Sequence, residues 1–266
     1  MKRNLFIIKI GGSVITDKSK ARSAFRQKIV RRIVKEIVQA KKTKNFDLIL
    51  VHGAGAYPHY LTTKYRISEG FKGTKSAFGF AHIKQELFKL NNLFWSECLK
   101  AGLAVSTVQP SAVIFTKNGK IKSFDTGFIE ALLKIGITPV LMGDDSIDET
   151  RGISVLSGDK IVAYLGKKFK AKKIIFVSDV EGVYDKNPKV YKDAKLITEI
   201  GKKNFRSIIQ SMQRYNINDA SGEMKGKLLA ISENLTGFEV QIVGGFKIGA
   251  VRFSLEQSQG GTRIAL

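Results

Sequence analysis

Short apolar runs alternate along the chain with longer stretches in which apolar positions recur every three or four residues. The short runs predict strands at "LFIIKI" (5–10), "DLILV" (47–51), "AVSTV" (104–108), "TPVLM" (138–142), "KIIFVS" (173–178) and "FEVQIV" (238–243). Between them lie helical periods, clearest over 75–101, where Phe80, Ile83, Leu87, Leu90 and Phe94 fall on one face. The segment "RQKIVRRIVKEIVQAKKTK" sets lysines and arginines against an isoleucine and valine stripe, the pattern of a helix with one solvated face. Strand–helix alternation of this kind predicts an α/β fold on a largely parallel sheet. Two hairpins stand outside that pattern. One turns at Asn118-Gly119 in "VIFTKNGKIKSF", and the other lies between Asp144 and Leu156. No Pro-, Gly- or Ser-rich linker and no repeat divides the chain, so one continuous domain with two lobes, about 1–170 and 171–266, is expected.

Composition narrows the class of protein. A chain of 266 residues, 43% of them hydrophobic, can bury a sizeable core. The formal charge of +22 favours acidic partners such as phosphates without choosing among them. A lone cysteine, Cys98, fits a reducing compartment and a cytoplasmic location. The amino-terminal "MKRNLFIIKI" starts like a signal peptide, but Lys9 breaks its apolar run and no small-residue cleavage pattern follows. No run approaches the ~20 apolar residues of a membrane span, so no membrane association is expected.

Chemistry concentrates just after the strands, where open α/β sheets bind ligands. Gly11, Gly12 and Ser13 follow the first strand, "HGAGAYPH" the second, "GDD" the fourth and "SDVEGVYDKNP" the fifth. Side-chain-free glycines let backbone N–H groups approach an anion, although a tight turn needing positive φ explains Gly-Gly equally well. Lys9 interrupts an apolar strand directly before that turn. A buried ammonium there needs a partner, and a phosphate would supply one.

Several familiar sites are missing. There is no G-x-x-x-x-G-K-[ST] loop, "GAGAYP" has proline where a dinucleotide fingerprint needs glycine, and no G-x-S-x-G elbow occurs. His52, His59, His82 and Cys98 lack the spacing of a zinc site, so no side-chain metal site is expected.

The ordered set K-x-G-G-S (Lys9 to Ser13), "ISVLSGDKIVAYL" (153–165), "SDVEGVYDKNP" (178–188) and "DASGEMKGKL" (219–228) resembles the amino acid kinase superfamily over nearly the whole chain. Within it, "GGSVITDK", "VHGAGAYPH", "GFAHIKQELFKLN" and the closing "GTRI" are similar to the branch that phosphorylates isopentenyl phosphate. The resemblance implies a three-layer αβα sandwich with peripheral hairpins and a homodimer. It also implies that Lys9, Gly11, Gly12, Ser13 and Gly55 meet the ATP phosphates, that Lys18 stabilises the transferring phosphoryl group, and that Asp159 orients the lysines. By the same resemblance Asp179, Gly222, Lys225 and Lys227 would hold the nucleotide, with Lys227 also catalytic. Gly53, Ala54, Gly55 and Gly158 would offer N–H groups to the acceptor's phosphate, and His59 would bond it from the side. Simpler roles compete: Asp159 as a helix cap, Lys225 and Lys227 as solvated cations.

The reaction so implied is in-line transfer from ATP, with Mg2+ carried on the phosphates, to isopentenyl phosphate in isoprenoid biosynthesis by an alternative mevalonate pathway. The prenyl tail would lie near Phe80 and Ile83. The acceptor loop departs from the family's G-[GA]-G-S-F-G-H at Ala56, Tyr57 and Pro58, which removes a hydroxyl and a backbone donor. Two alternatives remain open at this point. One is a related kinase acting on UMP, a phosphonate or a carboxylate. The other is a basic nucleic-acid-binding protein on a kinase fold, for which a basic tail or basic-aromatic face would be the sign; neither is evident, so no nucleic-acid partner is expected.

Overall fold

The computed structural model describes residues 4–17, 24–214 and 223–266. In chain order the first part comprises β1 (Asn4–Ile10), α1 (Gly12–Ile15), β2 (Thr16–Asp17), β3 (Ala24–Phe25), α2 (Gln27–Thr43), β4 (Phe46–His52), α3 (His59–Lys64) and α4 (Thr74–Lys100). Then follow β5 (Val105–Thr107), α5 (Pro110–Val113), β6 (Ile114–Lys117), β7 (Lys120–Phe124), α6 (Gly127–Lys134), β8 (Thr138–Met142), β9 (Asp144–Asp148), β10 (Gly152–Leu156) and α7 (Gly158–Phe169). The last part contains β11 (Lys173–Ser178), β12 (Val183–Tyr184), β13 (Leu196–Ile197), β14 (Glu199–Gly201), α8 (Phe205–Arg214), α9 (Glu223–Asn234), β15 (Glu239–Gly244), α10 (Ala250–Gln257) and β16 (Thr262–Ala265).

Eight strands form one sheet in the order β14-β16-β15-β11-β1-β4-β8-β5. All its pairings are parallel except that between β15 and β16. Successive residues of a strand face opposite sides, so both sides of a covered sheet must be apolar. Ile7, Ile49, Ile174 and Phe176 enter one core with Ile161 and Leu165 of α7 and Leu228 and Ile231 of α9. Their neighbours Phe6, Ile8, Leu48, Leu50 and Ile175 enter the other, with Val30, Ile33 and Ile37 of α2 and Leu90 and Phe94 of α4. This is the α/β sandwich with a largely parallel sheet that the alternation predicts. The basic-aliphatic segment forms α2 as expected, burying Val30, Ile33, Val34, Ile37 and Ala40.

Both hairpins form and pair into a separate four-stranded sheet, β10-β9-β6-β7. Asn118 and Gly119 both take the left-handed conformation, φ 49° and 71°, that a two-residue hairpin turn favours. None of the described helices is long and apolar enough to cross a membrane.

Candidate active site

The carboxyl ends of β1, β4, β8 and β11 lie side by side, and single hydrogen bonds extend their register into the loops. Gly11 N–H donates to Val177 O at 2.8 Å, Gly53 N–H to Ile10 O at 2.9 Å and Gly143 N–H to His52 O at 2.8 Å. Three glycine loops are thus pinned along one edge. Here the glycines serve close approach: Gly11 has φ −58° and Gly12 is helical, so neither needs a left-handed conformation. A Cβ on Gly12 would sit 2.5 Å from the Gly55 nitrogen, a distance that real Cβ contacts do not reach. Thr16 fastens the two loops, its hydroxyl donating to Gly12 O at 2.9 Å and accepting from Ala56 N–H at 2.9 Å. Among the described residues, the N–H groups of Gly12, Gly55 and Gly158 have no protein acceptor. Such groups are available to an anion.

Lys9 follows Ile7 on the face of β1 that packs against α7, and α7 presents Asp159 in its first turn. The Lys9 ammonium lies 3.0 Å from one carboxylate oxygen of Asp159. Lys227, carried by α9 packed on α7, donates to the other at 3.0 Å. Burial alone would raise the Asp159 pKa; the two lysines overcome it and hold the carboxyl well below the usual carboxylate range. The partner that Lys9 needs inside the sheet is therefore a protein carboxylate. Capping of α7 falls to Ser157, whose hydroxyl accepts from Lys160 N–H, which leaves Asp159 to the lysines.

Two cavities meet at Lys9 and Ser13. One, the smaller, is lined by Gly11, Ser178, Asp179, Tyr184, Asn187 and Lys227 among others. The other, the larger, runs from Gly12, Gly53, Gly55 and Gly158 to an apolar end at Ile83, Leu87, Val155 and Leu156. Two ligand spaces with a lysine pair at the seam can bring two anions together.

The sequence profile described as "Amino acid kinase family" matches residues 4–243. The chain belongs to the amino acid kinase family. The isopentenyl phosphate kinase of Methanothermobacter thermautotrophicus is 33% identical over 270 residues, covering 98% of each chain. That of Methanocaldococcus jannaschii is 34% identical over 237 residues, covering 86% of this chain and 87% of the relative. A solved structure described as "X-ray structures of isopentenyl phosphate kinase" superposes with a TM-score of 0.79 at 30% identity, covering 98% of this chain and all of that one. The fold is therefore the amino acid kinase fold.

Against that family frame, most residues expected at the site come together. Lys9 and Ser13 line both cavities; Gly11, Asp179 and Lys227 line the smaller one, and Gly12, Gly53, Ala54, Gly55, Ile83, Gly158 and Asp159 the larger. Lys227 is 6% exposed, so it is not a solvated surface cation. Asp179 is held below its usual pKa: burial opposes this, and an ion pair with Lys189 outweighs it. Lys225 is half-buried and lines neither cavity. Phe80 also lies outside the lining, its ring 4.4 Å from the Lys84 ammonium. Lys18, Gly222 and the side chain of His59 lie outside what the structure describes; the His59 backbone begins α3.

His52 is buried and bonded to Asn91 at 3.1 Å and to Gly53 O at 3.0 Å, a packing role at the base of the Gly53–Gly55 loop. His82 is half-buried against Tyr65 and Phe78. Pro58 does not disrupt its loop: its carbonyl accepts from Thr62 N–H at 2.8 Å and starts α3. Sequence reasoning missed Thr16, Lys84 and the individual roles of Asp144 and Asp145, although "GDD" marked the right place. Among the described residues, no group of three or more His, Cys, Asp or Glu side chains is placed to hold a metal.

Proposed function

We propose that this chain transfers the γ-phosphoryl group of ATP to isopentenyl phosphate, giving isopentenyl diphosphate and ADP. The observation that carries the reading is the meeting of two anion-compatible cavities at Lys9, with Asp159 holding Lys9 and Lys227 at the seam. The smaller cavity takes the nucleotide between Asp179 and Lys227, and its phosphates reach the Gly11–Gly12 backbone. The larger takes the acceptor, phosphate toward Gly55 and Gly158, hydrocarbon toward Ile83 and Leu87. That division also supports two lobes, with acceptor contacts from about 1–170 and most nucleotide contacts from about 171–266.

The second pKa of a phosphate monoester is about 6, so at neutral pH the acceptor is mainly a dianion and needs no general base. What it needs is relief of repulsion and alignment with the γ-phosphorus. Lys9 and Lys227 supply positive charge, oriented by Asp159; Lys18 and His59 join them on the strength of their motifs. Mg2+ on the β- and γ-phosphates would neutralise charge developing there. The reading takes a small-molecule substrate; a homodimer is proposed on the motif resemblance and a cytoplasmic location on the lone Cys98.

The test is phosphorus NMR of the protein with Mg-ATP and, in parallel tubes, isopentenyl phosphate, UMP and N-acetylglutamate. Diphosphate signals only with isopentenyl phosphate are expected. Turnover only with another acceptor would replace the isoprenoid reading.

A further inference from the structure

The apolar end of the larger cavity contains an unsatisfied acid. Asp145 is 3% exposed and lines that cavity. It stands directly opposite Val155 across the β9–β10 hairpin, so the two side chains share the cavity face. Its Oδ2 is buried without a hydrogen-bond partner among the described residues. The neighbouring acid differs: Asp144 accepts from the Lys84 ammonium, from Ser111 N–H at 3.0 Å and from Asp145 N–H at 2.8 Å. Lys84 donates to the Asp144 carboxylate and to the Asp145 backbone carbonyl, and neither contact satisfies the Asp145 Oδ2.

A buried carboxyl oxygen without a partner is costly, and a ligand can remove that cost by donating to it. Val155 lies three residues before Gly158, within about 10 Å along an extended strand. Asp145 is therefore level with the carbon body of an ester whose phosphate sits at Gly158. An alkyl chain offers it nothing; a hydroxyl offers a donor.

We propose that Asp145 is a specificity-determining residue, and that the acceptor site also takes short phosphate monoesters bearing a hydroxyl on the carbon body. This rests on assigning the larger cavity to the acceptor. Burial pushes the Asp145 carboxyl up to about 7, with Lys84 opposing and Asp144 reinforcing it. A carboxyl protonated near neutrality tolerates the hydrocarbon of isopentenyl phosphate as well, so the two substrates are compatible.

The experiment is steady-state kinetics with Mg-ATP and two acceptors, isopentenyl phosphate and 3-hydroxy-3-methylbutyl phosphate, its hydrated analogue. Wild type is expected to use the hydroxylated ester with kcat/KM within a hundredfold of isopentenyl phosphate; a lower value overturns the proposal without any variant. In Asp145→Val the ratio of the two efficiencies should fall about 10-fold, the worth of one neutral hydrogen bond. A fall of less than threefold, with isopentenyl phosphate still turned over, overturns it. Asp145→Asn, which keeps an acceptor oxygen and the shape, should hold the wild-type ratio within threefold; a larger fall overturns the hydrogen-bond account even if the valine variant fails to fold. Wild-type silence with both esters would instead overturn the acceptor assignment itself.

Discussion

The Lys9 ammonium lies 3.0 Å from a carboxylate oxygen of Asp159, a contact between the carboxyl end of β1 and the first turn of α7. Lys227 occupies the other oxygen at the same distance. One acid therefore holds two cations, from positions more than two hundred residues apart, at the junction of the two cavities. Without that acid the two lysines would repel each other, and neither would be held at the junction of the cavities.

Asp159→Asn tests this arrangement. It keeps the side chain's shape and removes the charge, so kcat should fall on the order of 100-fold, as when a preorganised electrostatic group is lost. Circular dichroism should show a folded protein. A kcat within threefold of wild type would reduce Asp159 to a structural member of α7.

Gly12→Ala tests the close approach of the two loops. The added methyl would start 2.5 Å from the Gly55 nitrogen, and Thr16 ties both loops so that neither can withdraw freely. Overpacking of this kind costs on the order of 1–3 kcal/mol. A lowered urea midpoint with strongly reduced activity is expected; a variant equal to wild type in both would show that the loops can part.

His59→Ala tests a role that rests on the motif "VHGAGAYPH" alone. A hydrogen bond from the side to the acceptor's phosphate should matter to turnover and not to folding. Most of kcat/KM for isopentenyl phosphate should be lost at an unchanged melting temperature. Unaltered kinetics would remove His59 from the site.

Lys18→Ala separates two ways a lysine can help. If Lys18 meets charge that develops on the transferring phosphoryl group, kcat falls more than ATP affinity does. An equal or greater loss of affinity would place it on the ground-state triphosphate.

The parallel sheet was legible because apolar runs covered on both faces carry a strong signal, and "KNGK" announced its hairpin through two residues that accept positive φ. Short elements were not. The strands β14 and β16, at one end of the sheet, span Glu199–Gly201 and Thr262–Ala265, too short for a period to show. At the site, glycine loops and the lysine before them were visible as residue types in the right places. Their pairing was not: that Asp159 meets Lys9 and Lys227 depends on α7 packing against both β1 and α9, contacts that no local pattern encodes. Phe80 shows the converse. Its spacing places it beside Ile83, and it does pack on the cluster of Ile83 and Leu87 with the Lys84 ammonium against its ring, yet it does not reach the cavity lining.

Asp145 also sets a pH dependence of stability that can be measured apart from activity. Its carboxyl, with an ordinary pKa of about 3.9, is pushed up to about 7 in the fold, first by burial. Between those values the folded chain keeps a proton that the unfolded chain has released. The native state then binds more protons, so stability must fall as pH rises through this window, with no further change above it. Asp145→Asn cannot titrate there and keeps the side chain's shape. Urea denaturation of both proteins from about pH 4 to about pH 8 should give midpoints that diverge with rising pH, the variant gaining on wild type until about pH 7. Parallel midpoints across the range would mean that the carboxyl is already ionised in the folded protein, and that water or a neighbour satisfies the oxygen left alone at Val155.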